Sequence, residues 1–263
     1  MQKTLALSCW FGDKFKKPKR VRNIKEFILL VKFVIKNLIP ISLYSLFKID
    51  SVVPRAPKNC SKSIFFTNNA SLKSDILYKG WTYYFINDDV SGIDSISSSL
   101  AAKKIKFLVL PDDVERQLND FDFILYMDSR RITDDIEKLI ELCEKGIVIR
   151  HTLRFKESVW DEVEEAKEQE RYMIGMDDTI NFINDHISRG LSASNRVVNT
   201  GVILYNIGSI KFRDEIRSLC SEVYNACLDL KQPECQIIWF MLSQRYSHAI
   251  TTIECNDIST RDN

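Results

Sequence analysis

The chain has 263 residues, 45% hydrophobic and 28% charged, which excludes a disordered chain and fits one sizeable α/β domain. Its seven cysteines are odd in number and form no C-x-x-C pair, which argues for reduced thiols rather than a disulfide framework or a zinc knuckle. The net charge of +1 hides an asymmetry: residues 1–48 carry eleven Lys/Arg against two acids, and the remainder carries 26 against 34, so the amino-terminal part expects an anionic partner.

Residues 4–10, TLALSCW, predict a first strand, and the start of the chain reads as that strand rather than as a secretory leader. The run KFKKPKRVR, 14–22, is strongly basic. Residues 23–47 then predict a helical stretch in which Lys25, Lys32 and Lys36 share one face of an otherwise apolar surface. Recurring charges and Pro40 exclude a membrane span. Two readings stay open for this stretch: a helix packed on the domain with its lysines snorkelling, or one lying on an anionic membrane. Nucleic acid is not expected, because no recognition motif accompanies the charge.

After a loop with Pro54 and Pro57, strands are predicted at 63–69 and 80–88, and a helix at 92–104. A strand at 121–127 is followed by a capped helix at 133–146 and a short strand at 147–151. Ser158 and Asp161 form a capping-box pattern ahead of an acidic helix at 158–173. A helix near 176–188, a strand at 196–206, helices near 209–229 and 233–244, and a strand near 248–254 complete the series. The alternation gives an α/β class with a mostly parallel central sheet flanked by helices.

The phosphate-loop, dinucleotide, serine-hydrolase and zinc-protease motifs are all missing from the sequence. Ligands of such sheets collect at the carboxyl ends of the strands. There the sequence puts Cys9, Trp10 and Phe11, then Asn68 and Asn69, then Asp128, Ser129 and Arg130, then His151. Aromatic, amide, acid and base together suit a nucleobase, a ribose and a diphosphate.

The ordered series ALSCWFG, IFFTNN, GWTYYFIN, LAAKKIKFL and FDFILYMDSRRI resembles nucleotide-diphospho-sugar glycosyltransferases of the GT-A fold. It is most similar to the TOD1/MUCI70-type glycosyltransferase-like domain family. RHTLRFKESVWDEVEEA, NTGVILYN and PECQIIWF continue the pattern. The resemblance covers about 60–255 plus the first strand. It implies a single GT-A domain over 1–263, with 13–58 as a basic, amphipathic helical insertion.

The implied activity is transfer of a sugar from a nucleoside-diphosphate-sugar donor to a hydroxyl of a glycan or lipid-linked acceptor. The alternative is an inactive sugar-nucleotide-binding or membrane-associated adaptor. Asp128 matches the first acid of the family's D-x-D motif, which holds a divalent ion, usually Mn²⁺. Arg130 stands in place of the second acid. Three readings are open: Arg130 or Arg131 binds phosphate as a fixed cation, Asp128 alone ligates the ion, or Arg130 pairs with Asp128 in an inactive site.

Further implied donor contacts are Cys9, Trp10, Phe11, Asn68, Ser129 and Lys104, the last preferred over Lys106. His151, Arg154, Asn199 and Gly201 would border the sugar and acceptor. Glu234 and Gln236 match the last motif, in which Cys235 replaces an acid. Glu234 serves either as a general base or as an acid favoured by a helix start. The expected location is cytoplasmic, with or without peripheral membrane contact.

Overall fold

The computed structural model describes residues 2–12, 24–39, 52–87 and 95–261. The basic run 14–22, residues 40–47 and the start of the helix expected at 92–104 lie outside them. In chain order the elements are β1 (Thr4–Trp10), α1 (Ile24–Leu38), β2 (Lys62–Thr67), α2 (Lys73–Tyr78), β3 (Thr82–Phe85) and α3 (Ser95–Lys106). Then come α4 (Asp112–Glu115), β4 (Phe123–Met127), α5 (Ile136–Glu141), β5 (Ile147–His151), α6 (Val159–Lys167) and α7 (Glu170–Met173). The last are α8 (Met176–Ser188), β6 (Val198–Tyr205), α9 (Arg213–Asp229), α10 (Cys235–Leu242) and β7 (Ile250–Ile253).

Strand side chains alternate between faces, so each buried strand feeds two layers. In β1, Leu5, Leu7 and Cys9 enter one core and Ala6 the other. In β4, Ile124 and Tyr126 join the first core, and Phe123, Leu125 and Met127 join the second. Ile105 of α3, Val223 of α9 and Trp239 of α10 close the first face. Ile76 of α2 and Leu139 of α5 close the second. A third cluster joins α6, α7 and α8 to Ile237, Phe240 and Met241 of α10. Helix α10 is apolar all round because it lies between two cores.

The sheet order is β3-β2-β1-β4-β6-β5-β7. β6 runs antiparallel to both β4 and β5, while the remaining pairs are parallel. The result is an α/β fold with a mixed, mostly parallel sheet flanked by helices, consistent with a GT-A-type arrangement. The antiparallel strand brings its amino end, Val198–Gly201, to the edge of the sheet where β1, β4 and β5 end.

Several boundaries differ from the expectation. The helix expected at 133–146 shortens to α5, which ends by Leu142. The helix expected at 158–173 breaks into α6 and α7 because Gln169 adopts an extended backbone. The capping box at Ser158 and Asp161 forms as the sequence indicates. Helix α2 went unforeseen: its six residues are too few for a periodicity signal.

Trp239 is fully buried, and its ring stacks on Phe107 with centroids 6.0 Å apart. Trp239→Ala is expected to cost about 3–5 kcal/mol, the range for deleting a large buried aromatic. Urea denaturation followed by circular dichroism would show this as a lower midpoint.

Candidate active site

Strand β4 ends on Asp128, and its position is fixed from three directions. The Asp128 backbone N–H donates to the carbonyl of Gly201 on β6 (2.8 Å). The Tyr126 hydroxyl, two residues back on the same face, donates to Asp128 Oδ1 (2.8 Å). The Lys106 ammonium at the end of α3 lies 3.2 Å from Oδ1 and 3.4 Å from Oδ2.

Lys106 is itself 2% exposed, whereas the Asp128 side chain is 41% exposed. The ammonium also donates to Thr200 Oγ1 (3.4 Å) and faces Cys235 Sγ (3.8 Å). Its cation sits 5.3 Å from the centre of the Tyr126 ring. A lysine this deep is stable only with such a partner set, since an unpaired buried charge is strongly disfavoured.

Burial pushes the Asp128 pKa up, but the charges of Lys106 and then Lys103 outweigh it and hold the carboxyl below its ordinary value. Lys103 and Lys106 are three residues apart on α3 and therefore share a face. Burial works to lower the pKa of Lys103, yet Cys235, Asp128 and Glu234 around it raise it overall. The ammonium of Lys103 makes no hydrogen bond or ion pair among the described residues.

Gly201 completes the corner. A Cβ there would lie 2.7 Å from Asn199 Oδ1 and 3.1 Å from Asp128 Oδ2, so a side chain would displace the groups that define the site. Asn199 Oδ1 instead accepts from the Gly201 N–H (2.8 Å). Asn199 and Asp128 thus both close on Gly201.

The other residues expected to bind ligand take varied places. Cys9 and Phe11 are buried in the first core beneath the site, and burial pushes the Cys9 thiol up to about 12. Trp10 is half-buried and packs against the second core. Asn68 accepts from the Gly12 N–H (3.0 Å) and Asn69 donates to the Gly12 carbonyl (3.0 Å), so the pair clasps the turn leaving β1. Ser129 is buried behind Asp128.

Lys104 is half-buried on α3 and makes no hydrogen bond or ion pair with Asp128 among the described residues. Of the two lysines read from the sequence, Lys106 is the one that reaches Asp128. Arg130 is exposed, and its guanidinium has no hydrogen bond or ion pair among the described residues. The reading in which Arg130 pairs with Asp128 is therefore corrected: Lys106, arriving from α3, occupies that role.

Glu234 caps α10 by accepting from the Gln236 N–H (3.3 Å). The Gln236 amide donates to Glu162 Oε1 (2.7 Å). Glu162 is buried and paired with Lys156, and burial followed by the charge of Glu234 raises its pKa. His151 lies apart from Asp128: burial, followed by the charge of Arg196, lowers its pKa, with Glu254 opposing. Arg154 is exposed and sits 3.9 Å from Glu165. A cavity of about 40 Å³ lined by Leu118, Ile207 and Arg213 lies at the opposite end of the sheet, away from these groups.

Sequence reading missed Lys103, Tyr126 and Thr200 as parts of this site. For Lys103 a signal existed, the three-residue spacing to Lys106 on one helix.

A divalent ion, implied by the sequence resemblance, fits these residues poorly. Among the described residues no group of three or more His, Cys, Asp or Glu side chains could hold a metal ion. The strand-end carboxylate, Asp128, is already bridged by a buried ammonium. Adding a cation beside that ammonium costs on the order of 4 kcal/mol per unit of charge at about 4 Å and a surface-like effective dielectric.

No protein-family model matches the chain, and no curated protein matches it. Among solved structures, mouse xyloside xylosyltransferase 1 in its apo form superposes with a TM-score of 0.45 at 10% identity, over 97% of this chain and 86% of that one. The apo WbbM bifunctional glycosyltransferase gives 0.44 at 10% identity, over 96% of this chain and 39% of that one. A CMP:2-keto-3-deoxy-manno-octonic acid synthetase complexed with CTP gives 0.40 at 9% identity, over 96% and 90%. At these scores the likeness carries no weight for substrate or mechanism. The narrower TOD1/MUCI70-type resemblance rests on sequence motifs alone.

Because its native pKa is depressed, Asp128 stabilises the fold fully above the ordinary carboxylate range near pH 4 and loses that contribution as pH falls through the native value. Lys106→Met is expected to raise the Asp128 pKa and to cost on the order of 1–3 kcal/mol, less than a fully buried pair because Asp128 reaches water. Carboxyl ¹³C NMR titration of wild type and variant checks the direction. An unmoved Asp128 resonance would remove Lys106 from its control.

Proposed function

We propose that the protein transfers a sugar from a nucleoside-diphosphate-sugar donor to a hydroxyl of a glycan or lipid-linked acceptor. The observation carrying this reading is the corner where β4 meets the amino end of antiparallel β6. There Asp128 is held by Lys106 and Tyr126, and Gly201 keeps side-chain volume out. The corner lies at the carboxyl end of β1 and β4, where a sheet of this kind receives ligands.

In this reading the acceptor hydroxyl oxygen bonds to the anomeric carbon as the bond from that carbon to the donor phosphate oxygen breaks. The nucleoside diphosphate departs with the bonding electrons. Glu234 is the carboxylate we assign to receive the hydroxyl proton, reached from its place at the start of α10. Lys103 faces the diphosphate, and the Lys106–Asp128 pair braces the corner beside it.

The experiment is turnover with a panel of sugar nucleotides. Wild type is expected to release nucleoside diphosphate in an acceptor-dependent reaction. Asp128→Ala is expected to lose at least 100-fold, and Glu234→Gln to lose turnover while keeping the fold, since an amide oxygen still caps a helix. Donor binding without turnover across the panel would instead support the rival reading, an inactive sugar-nucleotide binder.

Helix α1 favours a setting at an anionic membrane surface. Ile24, Phe27, Ile28, Val31, Val34, Ile35 and Leu38 are all exposed and recur at three- and four-residue spacing, so they form one stripe. Lys32 is exposed at its margin, and Lys25 and Lys36 recur in the sequence at the spacing that shares its face. No helix among the described residues is long and apolar enough to cross a membrane. The surplus of nine positive charges in residues 1–48 favours anionic lipid over a second copy of the same stripe, which would bring like charges together.

Flotation with phosphatidylserine-containing vesicles is expected to carry the wild-type chain upward and to leave a Phe27→Asp/Val31→Asp variant behind. Binding to neutral vesicles should be weaker. Equal flotation of wild type and variant, or a lipid-free dimer lost in the variant, would overturn the membrane setting.

A further inference from the structure

We infer that the donor's diphosphate is bound by the protein's own cations, Lys103 foremost, braced by the Lys106–Asp128 pair, and without a divalent ion. This deepens the nucleotide-sugar reading and rests on it.

The first ground is that Asp128 is already engaged. A carboxylate offers about four lone-pair positions. Lys106 approaches both oxygens and the Tyr126 hydroxyl takes a further place on Oδ1. Lys106 has little freedom to yield, because it is buried and shares its remaining protons with Thr200 and Cys235. A dication arriving at Asp128 would meet a fixed positive charge in place of a second acid.

The second ground is Lys103. It lies one helical turn before Lys106, on the same face of α3. Helix α3 packs against β4, and Cys235, Asp128 and Glu234 all act on the Lys103 charge. With no hydrogen bond or ion pair among the described residues, its three N–H groups remain for phosphate oxygens. Cys235, then Asp128 and Glu234, raise its pKa against the effect of burial, so it stays protonated through the neutral range.

The third ground is Arg130, just past Asp128. It is exposed at the rim, with no hydrogen bond or ion pair among the described residues. Guanidinium forks match phosphate geometry in a way a point charge does not. Lys103, Lys106 and Arg130 thus stand against two carboxylates, Asp128 and Glu234. The surplus of positive charge is what a diphosphate needs, and a surplus that a Mn²⁺ ion would have to enter against.

The test is isothermal titration with UDP, GDP, ADP and CDP, in EDTA and again with Mn²⁺, on the full chain. At least one diphosphate is expected to bind in EDTA, with affinity changed less than twofold by Mn²⁺. Lys103→Met is expected to weaken it tenfold or more and Lys103→Arg to restore most of it. Arg130→Ala should weaken it severalfold. Lys103 is half-buried, so the variants should keep the wild-type melting temperature, which is measured in parallel. Binding that requires Mn²⁺, with an electron paramagnetic resonance signal from bound Mn²⁺ lost in Asp128→Asn, would overturn the inference and leave the nucleotide-sugar reading standing. Binding that Lys103→Met leaves unchanged would overturn the role of Lys103. No binding of any diphosphate, with or without the ion, would remove the nucleotide reading and this inference together.

Discussion

The Lys106–Asp128 ion pair is the constraint around which the rest of the site is arranged. One partner is buried and the other half-exposed, so the pair carries charge from inside the protein to its surface. Asp128, half-exposed past the end of an apolar strand, gains a fixed partner in Lys106, and Lys106 could not be buried at the end of α3 without an anion. Tyr126, Thr200 and Cys235 fill the remaining hydrogen-bonding positions around them. The consequence is a carboxylate with fixed orientation and low basicity, suited to holding Lys106 in place rather than taking protons.

This pairing depends on a single topological feature. Because β6 runs against its neighbours, its amino end lies beside the carboxyl end of β4. Had β6 been parallel, Thr200 and Gly201 would have lain at the other end of the sheet from Asp128. The lack of a side chain at Gly201 then allows close approach, with Asn199 turning back onto the Gly201 N–H. Helix α10 fixes the opposite wall, since its apolar side chains lock it between two cores while Glu234 and Gln236 remain at its polar start. The polar groups are held by rigid elements rather than by loops, the condition for accurate placement.

Much of the fold was legible in the residues. The strand-formers of β1, β2, β4 and β6 alternate or run continuously as buried strands do, and the capping box at Ser158 marked its helix. Asp128 stood out as an acid after five buried apolar residues. What escaped were short elements such as α2 and the break at Gln169, where local packing outweighs periodicity. Lys103 and Tyr126 were also passed over: a lysine on a helix and a tyrosine in a strand look ordinary until their neighbours are known.

The sequence by itself determined the α/β class, the place of Asp128 at a strand end, the basic amino-terminal segment and the apolar spacing of α1. These are local properties, set by side-chain period, backbone preference and charge. The tertiary structure alone decided which cation answers Asp128. Spacing left Arg130, two residues away, as one candidate among open readings, yet Lys106 from α3 takes the role, and Arg130 is left at the rim. The reason is geometric: past the end of β4 the chain turns outward, whereas α3 packs across the sheet and aims its last turn at the strand end. Neighbours in space are fixed by the packing of helix on sheet, which no spacing along the chain encodes.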